Sequence, residues 1–421
     1  MNIPTLRITH ILSCPIESGA GLGVLALARA LKDEGAVSSF VGRVTPLPNS
    51  EFACFGPPIA ERIWVGLRTR AYQRGLQRQF GKPSSMFLPI SPGLSPHRHW
   101  AVREADIVNI QWSHAATLGP AFWNWLQTNG SRVVLTLRDM WPFTGGCHFS
   151  DACTGYTTGC IQCPLLGNAP QSLTTRDIDT KQRALAGIGA VIAISDDIAQ
   201  RARASVVLRN SNIHVIPNAI DIRSFPALPK AEARARLGLP LSGPIVAFGA
   251  LDLSDRRKGS EVLQQIVRDL GDTPGLHWAT FGANPFAMPP ATTAFGLVKD
   301  RSILNTIYAA ADVFLMPSLQ ETFGKVTAEA LASGTAVIAF RDTPAQEILD
   351  ENCGWLVPHN DAAAMTAALR AALSMTPDGL TRMGLAGVRR IGQHFAPQNI
   401  ARQHLELYRT LLARLPVQKV A

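Results

Sequence analysis

The feature that most constrains this chain is an alternation of short apolar runs with amphipathic stretches, repeated on both sides of a proline-bearing break. Residues 6–12 read as a buried strand, followed by the turn Ser18-Gly19-Ala20-Gly21 and a helix that places Leu22, Leu25, Ala28 and Leu31 on one face before Gly35 stops it. The rhythm returns at residues 106–112 (strand), 116–127 (helix), 132–137 (strand) and 190–195 (strand entering a helix). After the segment Ile216-Pro217-Asn218-Ala219 and the stretch Phe225-Pro226-Ala227-Leu228-Pro229, a new strand opens at 244–250. The second half then gives a helix at 260–270, a strand at 276–281, a helix at 302–310, a strand at 313–316, a helix at 325–332 and a strand at 335–340. Such alternation predicts an α/β chain whose parallel sheets are covered on both faces.

Length agrees with two domains: 421 residues exceed what one core organises. We place the N-terminal domain at residues 1–222 and the C-terminal domain at 223–397, with a final amphipathic helix at 398–415 free to cap either. Hydrophobic residues make up 46% and charged residues 17%, which excludes a disordered chain. The net charge of +9 asks for an anionic partner, such as nucleotide phosphates, an acidic lipid surface or nucleic acid. Residues 1–13 carry Arg7 and His10 within their apolar stretch and do not read as a signal peptide, and no run is long and apolar enough to span a membrane. The expected location is cytoplasmic, with peripheral contact to the inner face of a membrane.

In open parallel sheets, ligands bind beyond the carboxyl ends of strands, where helix N-termini present free N–H groups to anions. The strand at 313–316 leads through Ser318-Leu319-Gln320-Glu321-Thr322-Phe323-Gly324 into a helix carrying Lys325 and Glu329. Gly324 admits a phosphate closely. Glu321 and Glu329, eight residues apart, bracket that position so that one reaches a sugar and the other ribose hydroxyls. A helix N-terminal charge and a solvated helix face would explain any isolated pair at this spacing.

The run from Glu321 through Phe323, Gly324, Lys325 and Glu329 to Gly334 resembles the Glu-x7-Glu signature of family 4 retaining glycosyltransferases. The resemblance extends along most of the chain through Gly19-Ala20-Gly21, Pro217-Asn218 and the basic turn Arg257-Lys258-Gly259. It implies the GT-B architecture, two Rossmann-like doubly wound domains facing across a cleft. It also implies a hexose donor activated as a nucleotide sugar and a retaining transfer. Gly19, Gly21, Arg257, Lys258, Leu297, Phe323, Gly324, Lys325 and Glu329 are then the donor-binding residues, and Glu321 is catalytic. Arg257 and Lys258 would neutralise the departing diphosphate, so that no divalent cofactor is required for leaving-group departure.

Within the first half, Thr136-Leu137-Arg138-Asp139-Met140-Trp141-Pro142-Phe143-Thr144-Gly145-Gly146-Cys147-His148 is similar to bacterial exopolysaccharide transferases of the colanic acid type. Arg138 stands where many such relatives carry histidine, and Gln111 stands before Trp112 in the same way. Asp139 is the candidate base for an acceptor hydroxyl and Arg138 a donor or acceptor contact; a strand-end salt bridge is the plainer alternative. Cys147, Cys153, Cys160 and Cys163 follow in a C-x5-C-x6-C-x2-C pattern. This admits a structural zinc site, plain thiol packing or disulfides.

Residues 62–82 carry Arg62, Arg68, Arg70, Arg74, Arg78 and Lys82, with Trp64, Leu67, Ala71, Tyr72, Leu76 and Phe80 spaced for one helical face. The segment reads either as a membrane-surface helix, which would imply a lipid-linked glycan acceptor, or as a sheet-packed helix with a solvated basic face. Two rival functions remain: a nucleotide-sugar 2-epimerase, which the 321–334 string fits poorly, and a catalytically silent glycan-binding scaffold, suggested by Arg138 and Gln111. Nucleic-acid binding explains the charge but none of the motifs.

Overall fold

The apolar runs become strands because helices cover both faces of each sheet. The computed structural model describes residues 5–14, 19–42, 51–80, 87–112, 117–167, 172–284 and 286–414. In the first unit, β1 (Arg7–Leu12), β2 (Val37–Gly42), β3 (Ala53–Phe55), β4 (Ile107–Trp112), β5 (Val133–Leu137), β6 (Ala190–Ala193) and β7 (Ile213–Val215) form one sheet in the order β3-β2-β1-β4-β5-β6-β7. In the second, β8 (Ile245–Asp252), β9 (His277–Ala283), β10 (Thr292–Ala294), β11 (Val313–Met316), β12 (Ala336–Phe340) and β13 (Gly354–Val357) run β10-β9-β8-β11-β12-β13. Neighbouring strands are parallel throughout. Strand order reverses between β1 and β4 and again between β8 and β11, so each unit is doubly wound and has one topological switch point.

The second unit shows how the pattern produces the packing. The helix Ser260–Leu270 buries Val262, Leu263, Ile266, Val267 and Leu270, which pack with Val246, Phe248, Trp278, Ile338 and Phe340 in one core. Each such side chain contributes roughly 1.5–3 kcal/mol of transfer free energy. Most expected elements lie within a few residues of their sequence-based bounds. The segment Gly19-Ala20-Gly21 differs: it is not a turn after β1 but the start of the helix Gly19–Asp33, while Ser18 falls outside the described residues.

The division also differs from the sequence estimate. The two units are residues 1–217 with 400–421, and residues 218–399. Residues beyond Pro217 pair with the second unit, as in the bond from the Ile220 N–H to the Phe395 carbonyl. Most of the last helix, Pro397–Arg414, belongs to the first unit, where Asn109 Nδ2 donates to the buried Tyr408 hydroxyl at 2.6 Å. Among the described residues no helix is long and apolar enough to cross a membrane.

Candidate active site

At the β8/β11 switch point, two loops are drawn together by backbone geometry. The turn Arg256–Lys258 follows β8, and Asp255 caps it by accepting from the Arg257 N–H. Gly259 then takes a left-handed conformation, φ 71°, and a Cβ there would stand 2.0 Å from the Pro317 carbonyl oxygen. Only glycine lets the basic turn press this closely on the end of β11. The Leu319 N–H donates to the Arg257 carbonyl at 2.7 Å, and His359 Nε2 lies 2.9 Å from the Leu319 carbonyl, so the loop after β11 is held on two sides. Gly324, φ 87°, turns that loop into the helix Lys325–Ala332, whose first N–H groups have no partner within the helix.

This scaffold gathers Arg257, Lys258, Glu321, Gly324, Lys325 and Glu329, whereas Gly19 and Gly21 lie in the first unit. Lys258 Nζ lies 2.6 Å from Glu321 Oε1, both side chains being partly buried. Glu329 is 4% exposed and accepts from two cations, Arg301 Nη1 at 3.4 Å and Lys325 Nζ at 3.3 Å. Arg257 pairs with Asp255 in its own turn. Four cations thus meet three carboxylates at one end of the sheet.

Phe323 is buried, with its ring edge-on against Phe395, and so anchors the loop between β11 and the helix Lys325–Ala332. Leu297 is exposed in the loop after β10, next to Gly296, whose carbonyl accepts from Gly282 at the end of β9. Arg301 and Asp255 escaped the sequence reading. Arg301 follows the helix cap Asp300 and stacks its guanidinium 4.5 Å from the Phe225 ring centroid, a contact that spans the chain and leaves no local signature.

In the first unit, the ends of β1, β4 and β5 hold a polar cluster. Arg138 donates through Nε and Nη2 to Gln111 Oε1, at 3.2 and 2.7 Å, and burial pushes its pKa down to about 10. Gln111 Nε2 is 3.3 Å from His10 Nδ1. Burial, then the charges of His404 and Arg138, push His10 down to about 3.

Asp139 does not have the geometry of a base. Its carboxylate accepts from Trp112 Nε1 at 2.6 Å and the Trp141 N–H at 2.9 Å, and lies 2.6 Å from His148 Nδ1. Burial alone would raise its pKa, but the His148 ring and these donors hold it below the usual carboxylate range. Asp139 therefore orients Trp112 and His148.

A family model described as Glycosyltransferase Family 4 matches residues 18–224, and one described as Glycosyl transferases group 1 matches residues 244–375. The chain belongs to the family 4 glycosyltransferases. It is 26% identical over 296 residues to WcaC of Escherichia coli, described as a glycosyl transferase of colanic acid biosynthesis; the match covers 66% of this chain and 68% of WcaC. It is 31% identical over 261 residues to the alpha-maltose-1-phosphate synthase of Mycolicibacterium smegmatis, covering 55% of this chain and 66% of that one. Among solved structures, Anabaena HepE in complex with UDP and glucose superposes with a TM-score of 0.62 at 15% identity, covering 97% of this chain and all of that one. The fold is GT-B.

Two further segments of this family 4 chain carry expectations from sequence. Cys147, Cys153, Cys160 and Cys163 are free thiols lining one pocket. Among the described residues no three His, Cys, Asp or Glu side chains are already grouped to hold a metal ion. The basic segment is the helix Ile59–Phe80, with Lys82 outside the described residues. Its expected apolar face is split: Trp64, Leu67 and Ala71 are exposed, as are Ile59 and Ile63, while Tyr72, Leu76 and Phe80 are half-buried, Phe80 against Phe87 and Leu166, and Val65 is buried against Leu94.

Proposed function

We propose that this protein transfers a hexose from a nucleoside diphosphate sugar to a glycan acceptor during polysaccharide or glycoconjugate assembly. The observation that carries the reading is the Lys258–Glu321 pair beside the N-terminus of the helix Lys325–Ala332. A diphosphate seated at that terminus meets free N–H groups and takes Lys258 as counter-ion, which releases Glu321 towards the sugar. Glu329 then faces the ribose hydroxyls from a position fixed by Arg301 and Lys325.

As the bond between the anomeric carbon and the diphosphate breaks, Lys258, Arg257 and the helix N-terminus stabilise the charge on the leaving group, so the transfer runs without a divalent ion. The acceptor hydroxyl attacks from the leaving-group side and gives its proton to a phosphate oxygen, which retains the anomeric configuration. The first unit supplies the acceptor site, where Arg138 and Gln111 replace histidine chemistry with a guanidinium. Support for the substrate class comes from the complex of HepE with UDP and glucose and from the colanic acid role in the description of WcaC. A lipid-linked acceptor at an anionic membrane fits the exposed basic helix Ile59–Phe80.

The test is calorimetric titration with UDP, GDP and ADP sugars, followed by a turnover assay with glycan acceptors. Micromolar binding of one nucleotide family that is lost in Glu329→Ala and Lys258→Ala is expected. A folded protein that binds none of them removes the donor site. Donor binding without turnover on any acceptor would favour the silent scaffold that the Arg138–Gln111 pair suggests.

A further inference from the structure

Between Asp139 and the helix Ser172–Leu185 the described chain has no strand and only the single turns Trp141–Phe143, Gly155–Thr157 and Pro164–Leu166. A segment of this length with so little regular structure needs another source of order. Its four cysteines all line one pocket, together with Phe87, Phe149, Ile161 and Leu165.

Backbone donors point at three of the four sulfurs. The Gly155 N–H donates to Cys153 Sγ at 3.4 Å and the Gly145 N–H to Cys160 Sγ at 3.3 Å, while the Leu165 and Leu166 N–H groups bond to the Cys163 sulfur. A neutral thiol is a weak acceptor, whereas a metal-bound thiolate is a strong one, and donors arranged around sulfurs are the outer shell such a site requires. Cationic charge is also in place. Lys181 is fully buried, donates to the Trp141 and Thr144 carbonyls at 2.7 and 2.8 Å, and has Asp177 as its first charge partner, with Cys147 and Cys160 next. A divalent ion with four thiolates keeps a net negative charge, which a buried ammonium offsets.

We propose that Cys147, Cys153, Cys160 and Cys163 bind one zinc ion, and that this ion fixes the loop carrying His148. Four sulfur ligands in one chain segment, with Cys147 and Cys163 beside the small apolar cluster of Phe87 and Leu166, match a closed tetrahedral zinc site. Since no three candidate side chains already share a coordination sphere among the described residues, binding draws the loop inward over its apolar floor. His148 follows Cys147 directly and is clamped to Asp139, so the ion sets the position of a side chain at the edge of the polar cluster.

The experiment is metal analysis of the full-length chain purified without a metal-affinity step, followed by cobalt replacement of the bound ion. About one zinc per chain is expected, with a thiolate-to-cobalt charge-transfer band after exchange. Cys160→Ser and Cys163→Ser lose both signals, and Cys54→Ser, far from the loop in sequence, retains them. If the serine variants do not fold, the cobalt spectrum of the unsubstituted chain decides. A folded chain that carries no zinc and gives no cobalt-thiolate band overturns the proposal, whether its thiols are reduced or oxidised. The readout is independent of donor binding, so it does not depend on the transferase reading.

Discussion

Lys258 Nζ and Glu321 Oε1 are 2.6 Å apart although 63 residues separate them in the chain. They meet because Gly259 allows the turn after β8 to touch the end of β11, which makes the pair a product of the switch point itself. Both side chains keep a minor share of their surface open, 22% and 16%, so a ligand can reach the pair. A phosphate and a carboxylate then compete for one ammonium.

The two partners are predicted to fail differently. Lys258→Met removes a charge-assisted contact to the diphosphate and lowers nucleotide affinity about ten- to a hundredfold, the equivalent of roughly 1.5–3 kcal/mol. Glu321→Gln frees Lys258, leaves nucleoside diphosphate affinity within a few-fold, and lowers turnover instead. Calorimetry and initial rates separate the two, and equal affinity for the diphosphate in the Lys258 variant and the parent would contradict the assignment.

Glu329→Gln acts on the ribose side. The carboxylate is buried, but its partners Arg301 and Lys325 are each 25% exposed, so their rearrangement towards water limits the stability loss to about 1–2 kcal/mol. Affinity for a nucleoside and for its diphosphate should fall by the same factor, whereas Lys258→Met weakens only the diphosphate. A Glu329 variant that discriminates between the two ligands would place the carboxylate elsewhere.

Arg138 lies in the first unit, so its effect should be confined to the acceptor and to chemistry. Arg138→Met is expected to reduce kcat by about 10-fold or more with unchanged Kd for the nucleoside diphosphate, as loss of one charged hydrogen-bonding group in a transition state implies. Retention of full turnover would remove it from the mechanism.

The second unit was the more legible half. The run from Val313 to Phe340 alternates strand, loop and helix with local signals at every boundary, and the structure follows it closely. Lys258 and Glu321 were recognisable because both sit in local motifs. Arg301 was not, because its value comes from a contact with Glu329 that no local periodicity encodes. The same limit explains Asp139: a carboxylate after a strand looks available in sequence, and only the fold shows Trp112 and His148 filling it. The packing of Phe323 on Phe395 was likewise not legible, since the two are far apart in the chain and meet only in the fold. The boundary at 217/218 was also set by pairing, here between Ile220 and Phe395.

The helix Ile59–Phe80 makes a prediction about membranes. Ile59, Ile63, Trp64 and Leu67 are exposed, Arg68 stacks 4.4 Å from the Trp64 ring centroid, and Arg62, Arg70, Arg74 and Arg78 are exposed as well. Each arginine near an anionic surface adds about 1 kcal/mol, and the apolar side chains supply the insertion. The protein should sediment with phosphatidylglycerol vesicles and much less with phosphatidylcholine ones. Trp64→Ser with Leu67→Ser should abolish sedimentation at unchanged charge. Equal binding to both vesicle types would exclude the electrostatic part.

Acid should loosen the first unit before carboxylates are protonated. Burial, then His404 and Arg138, hold His10 near a pKa of about 3, and burial with Arg138, against an opposing bond to the Ile400 carbonyl, holds His404 near about 4, the ordinary value being 6.5. The groups facing them are Arg138, which disfavours a second positive charge, together with Gln111, the Phe40 ring and the Tyr408 ring. Because the folded values are depressed, the unfolded chain takes up protons first: stability is complete above about pH 6.5 and declines as pH falls towards about 4, by up to roughly 1.4 kcal/mol per pH unit for each histidine. Asp139, also depressed, adds its own loss only below its ordinary value of 3.8. Hydrogen exchange across the helix Pro397–Arg414, compared at about pH 7.5 and about pH 5 after correction for intrinsic rates, reads this directly, since His404 and Tyr408 anchor that helix. Protection should fall at the lower pH in the parent and fall less in His404→Gln. Equal protection at the two pH values would mean that these imidazoles take up their protons without leaving the fold.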